Sequence, residues 1–311
     1  MYPARLLQYE MAKNSWIMPF DYQEKHDGMK VRTSLTRALA ACYGIETDLT
    51  QTICQCVERF NTASLVHDDI VDEDRVRRGA PSVWVKYGVA TALISGMYGY
   101  IDGLQKMCDL QNTGLMKVAL DSLESLHIGQ YLDTQISEGT VLPTLDEYRF
   151  VAQTNTGCFF LFILEAFQNI QPLPEHCHRK LKEMLLELAV YYRFINDYCD
   201  INHIPHFKKK GFAPDLEGGP KSFLMILANQ PLTKQKLSES QKKKIIIAWG
   251  SSGVFIRALK LMEDSYQRIE QCFYDAQLNI NDRDFRQLEG FLQNVHFEQN
   301  IQDNFYESLI R

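Results

Sequence analysis

The sequence predicts an all-α protein, and three observations support that prediction. Gly and Pro are scarce, at 17 and 10 of 311 residues, which favours long helices over a turn-rich β fold. From about residue 31, apolar residues recur at i, i+3, i+4 and i+7 in one stretch after another. No alternating β pattern, internal repeat or linker interrupts these stretches. Residues 1–311 are therefore predicted to form one domain.

The predicted helices follow one another with short breaks. The clearest loop ends in a capping box, because Thr144 is followed three residues later by Glu147, and a helix begins at Leu145. A polar loop is predicted from Ile201 to Gly219, and three helical stretches close the chain. The other helical patterns cover Arg32 to Tyr43, Leu49 to Val71, Gly88 to Leu110, Leu115 to Gln135 and Leu173 to Asp200.

Charge and cysteine content exclude several classes of protein. The net charge of −6 argues against nucleic acid as a partner. The eight cysteines are scattered without a C-x-x-C pair, which predicts reduced thiols in a cytoplasmic protein and no zinc site. The first residues lack the apolar core of a signal peptide. The longest apolar run, Cys158 to Leu164, is too short to span a bilayer.

Three carboxylates stand together at the end of one predicted helix. Asp68 and Asp72 are four residues apart and share a helical face, with Asp69 beside them. Oxygen ligands without His or Cys suit Mg²⁺, which would relieve the repulsion between these charges. Arg77 and Arg78 follow and offer planar forks for phosphate oxygens. The motif predicts a magnesium–diphosphate site; the alternative is a solvated acidic helix end followed by a basic turn.

A second acidic motif lies about 125 residues later in the chain. Asn196, Asp197 and Asp200 fall at i, i+1 and i+4 near the end of an apolar helix. Two such helices that face each other across a bundle can hold a metal cluster between them. Because Asn196 is neutral, we expect this motif to hold its ion less tightly than the first.

With both motifs in view, the chain resembles the trans-prenyl diphosphate synthases, most closely the eukaryotic geranylgeranyl diphosphate synthases, from about residue 20 to 295. The shared motifs are residues 27–33, 63–72, 77–81, Gly129-Gln130 with Asp133, Thr156-Gly157, 196–200 and Ser222-Phe223. The resemblance implies an isoprenoid synthase-type helical bundle around a central apolar cavity. It also implies three Mg²⁺ ions, a prenyl diphosphate substrate and a homodimer.

The resemblance assigns roles to individual residues. Asp68, Asp72 and Asp197 would be catalytic, and the metal ligands would be Asp68, Asp69, Asp72, Asn196, Asp197 and Asp200. The substrate would contact Arg32, Arg77, Arg78, Gln130, Arg149, Thr156, Arg193 and Lys221. Lys210 is added from its place in the loop after the second motif, where it would either close over the diphosphate or lie in a solvated turn. Arg149 is included because it lies 47 residues before Asn196, close to the spacing of a diphosphate-sensing arginine in class I terpene cyclases. A surface arginine paired with its own acidic neighbours is the alternative.

The chain departs from the family pattern mainly where diphosphates would bind. Unexpected or displaced residues are Met29 for lysine, Asn61 for histidine, Asn155 for lysine, Arg193 for glutamine and Lys221, which is shifted by one position. Each lost contact to a charged group costs roughly 1.5–3 kcal/mol. Two such losses weaken the binding of isopentenyl diphosphate by roughly a hundredfold or more. The half of the reaction that ionises an allylic diphosphate is better preserved.

These departures favour a class I terpene cyclase that arose from a geranylgeranyl diphosphate synthase scaffold. Its predicted substrate is geranylgeranyl diphosphate, with a shorter allylic diphosphate as an alternative. Two other interpretations stay open. One is a working prenyl diphosphate synthase in which Lys30 and Lys221 replace the missing lysines. The other is a degenerate subunit that pairs with an active synthase.

Overall fold

The protein is described from a computed structural model, which covers residues 3–26, 28–217, 221–232, 235–278 and 283–311. In these ranges it is mostly helical, which confirms the predicted all-α class. A 3₁₀ turn covers Pro214–Glu217. The α-helices are α1 (Pro3–Glu24), α2 (Val31–Tyr43), α3 (Thr47–Val71), α4 (Val83–Tyr87), α5 (Val89–Asp109), α6 (Thr113–Glu138), α7 (Leu145–Asn155), α8 (Gly157–Ile170), α9 (Glu175–Asn202), α10 (Ile204–Lys210), α11 (Phe223–Ala228), α12 (Glu239–Ser251), α13 (Val254–Ala276), α14 (Arg286–Val295) and α15 (Phe305–Ile310).

The long helices pack as a bundle in which the two acidic motifs lie on different helices. Helix α3 ends in the first motif and packs against α5, α2 and α1. Helix α9 contains the second motif and packs against α13, α8 and α7. Helix α6 contacts α5, α7 and α8. The predicted capping box of α7 is confirmed, since Thr144 and Glu147 exchange side-chain and backbone hydrogen bonds.

Two features of the backbone differ from the sequence-based expectation. Val76–Arg77 and Ala80–Pro81 form a short antiparallel hairpin, although no β structure was predicted. Its two-residue loop places Arg78 at φ 54° and Gly79 at φ 78°, the conformation that a tight hairpin with right-handed twist requires. The predicted polar loop from residue 201 is also largely helical, because α10 and the 3₁₀ turn lie within it.

Buried aromatic rings fill much of the interior. Phe159, Phe160 and Phe162 on α8 are each at most 2% exposed. The ring centroid of Phe162 lies 5.6 Å from that of Phe60 on α3, in an edge-to-face contact. A central apolar cavity large enough for a prenyl chain therefore stays a prediction.

No single helix in the described ranges has both the length and the apolar character to cross a membrane. Two bent pairs, α7 with α8 and α12 with α13, meet the criterion only when their helices are taken together.

Candidate active site

Arg77 organises the end of α3 by binding the carboxylates around it. Its Nε donates a hydrogen bond of 2.6 Å to Oδ1 of Asp69, which is fully buried. Its Nη2 also contacts Asp74 at 3.1 Å and Asp68 at 3.6 Å. The hairpin brings this arginine back over the helix end. Arg77, predicted as a diphosphate ligand, is thus engaged by the acidic segment itself, and so is Asp69.

Asp68 and Asp72 are the partly exposed carboxylates of the first motif, whereas Asp69 is fully buried. Oδ1 of Asp68 accepts a hydrogen bond of 3.0 Å from Nε2 of Gln130 on α6. Burial and the nearby charges of Asp68 and Asp74 raise the pKa of Asp72 to about 8. A bound cation would relieve this repulsion, because it stabilises both ionised carboxylates.

Residues from three further helices complete the acidic centre. Asp133, one helical turn after Gln130 on α6, accepts a hydrogen bond of 2.7 Å from Nη2 of Arg193 on α9. Nδ2 of Asn155, the last residue of α7, donates to its other oxygen at 3.3 Å. A Cβ atom on Gly129 would lie 2.6 Å from the backbone nitrogen of Asn155, so only glycine allows α6 and α7 to approach this closely.

The second motif places its three side chains in three different environments. Asn196 is exposed. Oδ2 of Asp197 accepts hydrogen bonds from the Tyr148 hydroxyl at 2.8 Å and from the Phe223 backbone N–H at 3.0 Å. Asp200 is 1% exposed and accepts from the Asp215 backbone N–H at 3.1 Å. Burial raises the pKa of Asp197 to about 7.

The two motifs differ in how well they fit Mg²⁺. In the described part of the chain, no three His, Cys, Asp or Glu side chains form a ready-made metal site. Mg²⁺ usually retains several waters and binds through one or two carboxylates plus substrate phosphates. Asp68 and Asp72 fit that requirement. In the second motif the neutral residue is exposed and Asp200 is buried, so the motif fits an ion poorly.

A cluster of cations lies where α2 begins. The guanidinium carbon of Arg32 lies 5.0 Å from the centroid of the Phe159 ring, and its buried Nε has no hydrogen-bond partner among the described residues. Burial lowers the pKa of Arg32, and so does the nearby charge of Arg78. Lys30 pairs with Glu58 at 3.7 Å. Arg32 and Arg78 are thus near enough to interact electrostatically, and guanidinium groups suit the oxygens of a diphosphate.

The hairpin and the segment before α2 meet at Gly28. A Cβ atom on Gly28 would lie 2.6 Å from Nη2 of Arg78. Nη1 of Arg78 donates a hydrogen bond of 2.8 Å to the backbone carbonyl of His26. The glycine therefore lets the guanidinium lie against the backbone beside Arg32.

Three predicted substrate contacts lie elsewhere or outside the described side chains, and a fourth, Thr156, borders the acidic centre. Arg149 forms an ion pair with Glu187, which also accepts from Ser265 at 2.5 Å and from Arg268 at 2.8 Å. Nζ of Lys221 is turned inward and donates to the Leu232 carbonyl at 3.0 Å. Thr156 lies between α7 and α8, and its hydroxyl donates to Asn155 at 3.1 Å. The side chain of Lys210 lies outside the described part.

The structure corrects the position of Arg149 and identifies a residue that sequence reasoning missed. Successive residues on a helix point about 100° apart, so Tyr148 reaches Asp197 while Arg149 faces α9 and α13. The Tyr148 ring stacks on Phe194 with centroids 5.7 Å apart. The only sequence signal for Tyr148 was its place beside Arg149.

An acidic helix end, an opposing α9 and a separate arginine pair define an isoprenoid synthase-type protein. The sequence model of the polyprenyl synthetase family matches residues 14–246, and the chain belongs to that family. The crystal structure of a polyprenyl synthase from Caulobacter crescentus CB15, complexed with calcium and isoprenyl diphosphate, superposes with a TM-score of 0.78 at 19% identity. It covers 93% of this chain and 94% of that chain, and it supports the fold.

Two curated relatives that resemble this chain in sequence have different names. Geranylgeranyl pyrophosphate synthase atmG of Aspergillus flavus is 27% identical over 272 residues, which are 85% of this chain and 77% of that protein. A copalyl diphosphate synthase of Talaromyces verruculosus is 27% identical over 246 residues, or 75% of this chain. The matched part is 25% of that relative's own length.

If Arg149 is structural, its replacement should affect stability rather than turnover. We expect Arg149→Met to lower the free energy of unfolding by about 1–3 kcal/mol, because a buried carboxylate loses one of its charged partners. The matched control is Arg179→Met, whose exposed side chain pairs with Glu183. The free energy of unfolding in urea and kcat, measured on both variants, distinguish a structural role from a diphosphate-sensing role. Unchanged stability with a large loss of kcat would instead favour a diphosphate-sensing role.

Replacement of Asp72 should have opposite effects on metal binding and on the stability of the metal-free protein. We expect Asp72→Asn to stabilise the metal-free protein by on the order of 1 kcal/mol, because a repelling charge is lost. The same change should abolish the stabilisation that Mg²⁺ and pyrophosphate give to the native protein. Thermal unfolding with and without Mg²⁺ tests both effects. Asp121→Asn, at an exposed ion pair with Lys117, should show neither.

Proposed function

We propose that this protein is a Mg²⁺-dependent prenyl diphosphate synthase that joins isopentenyl diphosphate to an allylic diphosphate. The observation that supports this function best is the presence of two separate side-chain clusters of opposite charge, the acidic pocket and the basic pocket. Asp68 and Asp72 form an acidic pocket suited to a metal-bound diphosphate. Arg32 and Arg78 form a basic pocket suited to a diphosphate without metal. A reaction between two diphosphates needs both.

The acidic pocket would bind the allylic substrate. Asp68 and Asp72 would hold Mg²⁺, which when bound supplies Lewis acidity toward the diphosphate leaving group. Gln130 orients Asp68 through its 3.0 Å hydrogen bond, and Arg77 keeps the acidic segment in place. The apolar interior beside α8 would shield the allylic end from water.

The basic pocket would bind isopentenyl diphosphate. The desolvated guanidinium of Arg32 and the adjacent Arg78 offer charge-assisted hydrogen bonds to phosphate oxygens. Lys30 lies at the N-terminus of α2, beside the same arginine. Its side chain pairs with Glu58 at 3.7 Å, so it offsets the loss of the family lysine at Met29 only when it leaves that carboxylate. Lys221, which the sequence offered as a second substitute, has no part here because it binds Leu232.

A twenty-carbon product is the expectation from the small residues before the first motif. Ala63 is fully buried, and Ser64 donates its hydroxyl to the Asn61 carbonyl at 2.8 Å, so neither projects a large side chain. Relatives named as geranylgeranyl pyrophosphate synthases support the same expectation. We therefore propose geranylgeranyl diphosphate as the product.

Cyclisation, the function that the sequence favoured, is the second candidate. Two observations support it. Met29 is 76% exposed and contributes no charge, and the buried Oδ1 of Asn61 has no hydrogen-bond partner within the part of the chain that the structure describes. Both positions belong to the expected isopentenyl diphosphate pocket. The arginine pair weighs against cyclisation, because a cyclase has no second diphosphate to bind.

A product assay separates these candidates. Purified protein and Mg²⁺ are incubated either with geranylgeranyl diphosphate alone or with farnesyl and isopentenyl diphosphates together. We expect a longer diphosphate only in the second mixture. A hydrocarbon or alcohol formed from geranylgeranyl diphosphate alone would establish cyclisation instead. If neither mixture reacts, but the protein changes the product length of an active synthase, it is a regulatory subunit.

A methyl group on Gly28 should weaken the basic pocket selectively. Gly28→Ala would displace the Arg78 guanidinium, so we expect the KM for isopentenyl diphosphate to rise roughly tenfold. The KM for the allylic diphosphate should stay within about twofold of the native value, because the acidic pocket is unchanged. Gly290→Ala is the control, since a Cβ atom there meets open space. Equal increases in both KM values would contradict the assignment of two pockets.

We propose a homodimer that buries an apolar face of α5 and α6. These neighbouring helices expose an unusual number of large apolar side chains, namely Val89, Leu93, Ile94, Met97, Ile101, Leu120, Ile128 and Tyr131. A shallow groove on α6 joins this face, lined by Leu120, Leu123, Glu124, His127, Ile128 and Tyr131. Extended exposed apolar patches usually mark an interface.

Charges placed on this face should dissociate the dimer. We expect Ile94→Glu and Ile128→Glu each to shift the protein toward monomer, because burial of an unpaired carboxylate is costly. Ile256→Glu is the control, at a 74% exposed position on α13. Light scattering coupled to size-exclusion chromatography gives the mass. A monomeric native protein would contradict the proposal, and so would dimers that persist in both variants.

A further inference from the structure

The second acidic motif has few oxygen atoms available to bind a metal ion. Its neutral member, Asn196, is exposed, and Asp200 is buried under the segment that contains Asp215. Both protein donors to Asp197, Tyr148 and Phe223, use the same carboxylate oxygen. One carboxylate oxygen and one exposed amide make a weak site for a doubly charged ion.

A fixed positive charge lies beside this motif. Arg193 precedes Asp197 by four residues and therefore lies on the same face of α9. Its guanidinium lies over the Tyr148 ring, 5.2 Å from the centroid, and bonds to Asp133 at 2.7 Å. Only 12% of the side chain is exposed. Its charge also acts on Asp72 in the first motif.

We infer that Arg193 takes the place of the metal ion at the second motif and binds the allylic diphosphate directly. The guanidinium provides planar donors that suit phosphate oxygens. Asp133 and Tyr148 hold it in place, so it needs no ion to position it. Metal ions are then held by Asp68 and Asp72 alone. The inference rests on the proposed function only for the identity of the diphosphate.

The local charges support this exchange of an ion for an arginine. Asp68, Asp72 and Asp133 disfavour one another's ionised forms, and Arg193 on α9 pairs with Asp133 and favours the ionised form of Asp72. A divalent ion placed beside the guanidinium would be repelled by it at short range. The guanidinium of Arg193 therefore disfavours an ion at the second motif.

The number of bound metal ions tests the inference without turnover. Mn²⁺ binding to the full chain is counted by electron paramagnetic resonance in the presence of inorganic pyrophosphate. We expect Asn196→Ala to bind as many ions as the native protein, because Asn196 holds none. The double variant R193Q/N196D should bind one more ion per chain. Arg286→Gln, at an exposed ion pair with Asp284, is the control for loss of an arginine.

Two results would overturn the inference. One is the loss of a bound ion in Asn196→Ala, which is expected to fold because the residue is exposed. The other is an unchanged ion count in a folded R193Q/N196D. Arg193→Gln alone should also weaken pyrophosphate binding at saturating Mn²⁺ by roughly tenfold or more; undiminished affinity would exclude direct binding. Because pyrophosphate is the probe, these results stand even if the product assay finds no elongation.

Discussion

The interaction on which the site depends is the contact of Arg77 with the carboxylates at the end of α3. Asp68, Asp69 and Asp72 would repel one another if nothing opposed their charges. Arg77 binds the buried Asp69 and reaches Asp68 and Asp74, so the helix keeps its acidic end. Because its donors are used in these contacts, Arg77 has a structural role. Diphosphate binding is left to other cations.

The two adjacent arginines of the hairpin face different clusters of side chains, and the backbone explains why. The hairpin loop turns the chain so that Arg77 faces the acidic centre while Arg78 faces the start of α2. Gly28 leaves room for the second guanidinium, and Gly129 lets α7 approach α6 beside Asp133. One short turn thus separates an acidic pocket from a basic one, and this separation supports a reaction between two diphosphates.

The sequence predicted what depends on local spacing. The positions of Asp68 and Asp72 on one helical face follow from their separation of four residues, and the all-α class follows from the helical period. It did not anticipate the ion pair of Arg149 with Glu187, because neighbouring residues on a helix point about 100° apart. The prediction failed for Lys221 because tertiary contacts turn its side chain inward, where it donates a hydrogen bond to the Leu232 carbonyl. The Tyr148–Asp197 contact spans 49 residues and left no local pattern.

The central claim is that the two pockets bind different diphosphates, only one of them through metal. Isothermal titration in EDTA, with isopentenyl thiodiphosphate and a farnesyl thiodiphosphate analogue as ligands, tests it directly. Isopentenyl thiodiphosphate should bind with the same Kd in EDTA and in Mg²⁺, since Arg32 and Arg78 need no ion. The farnesyl analogue should bind only in Mg²⁺, at Asp68 and Asp72. Metal-dependent binding of both ligands, or no binding of the isopentenyl ligand, would contradict the account.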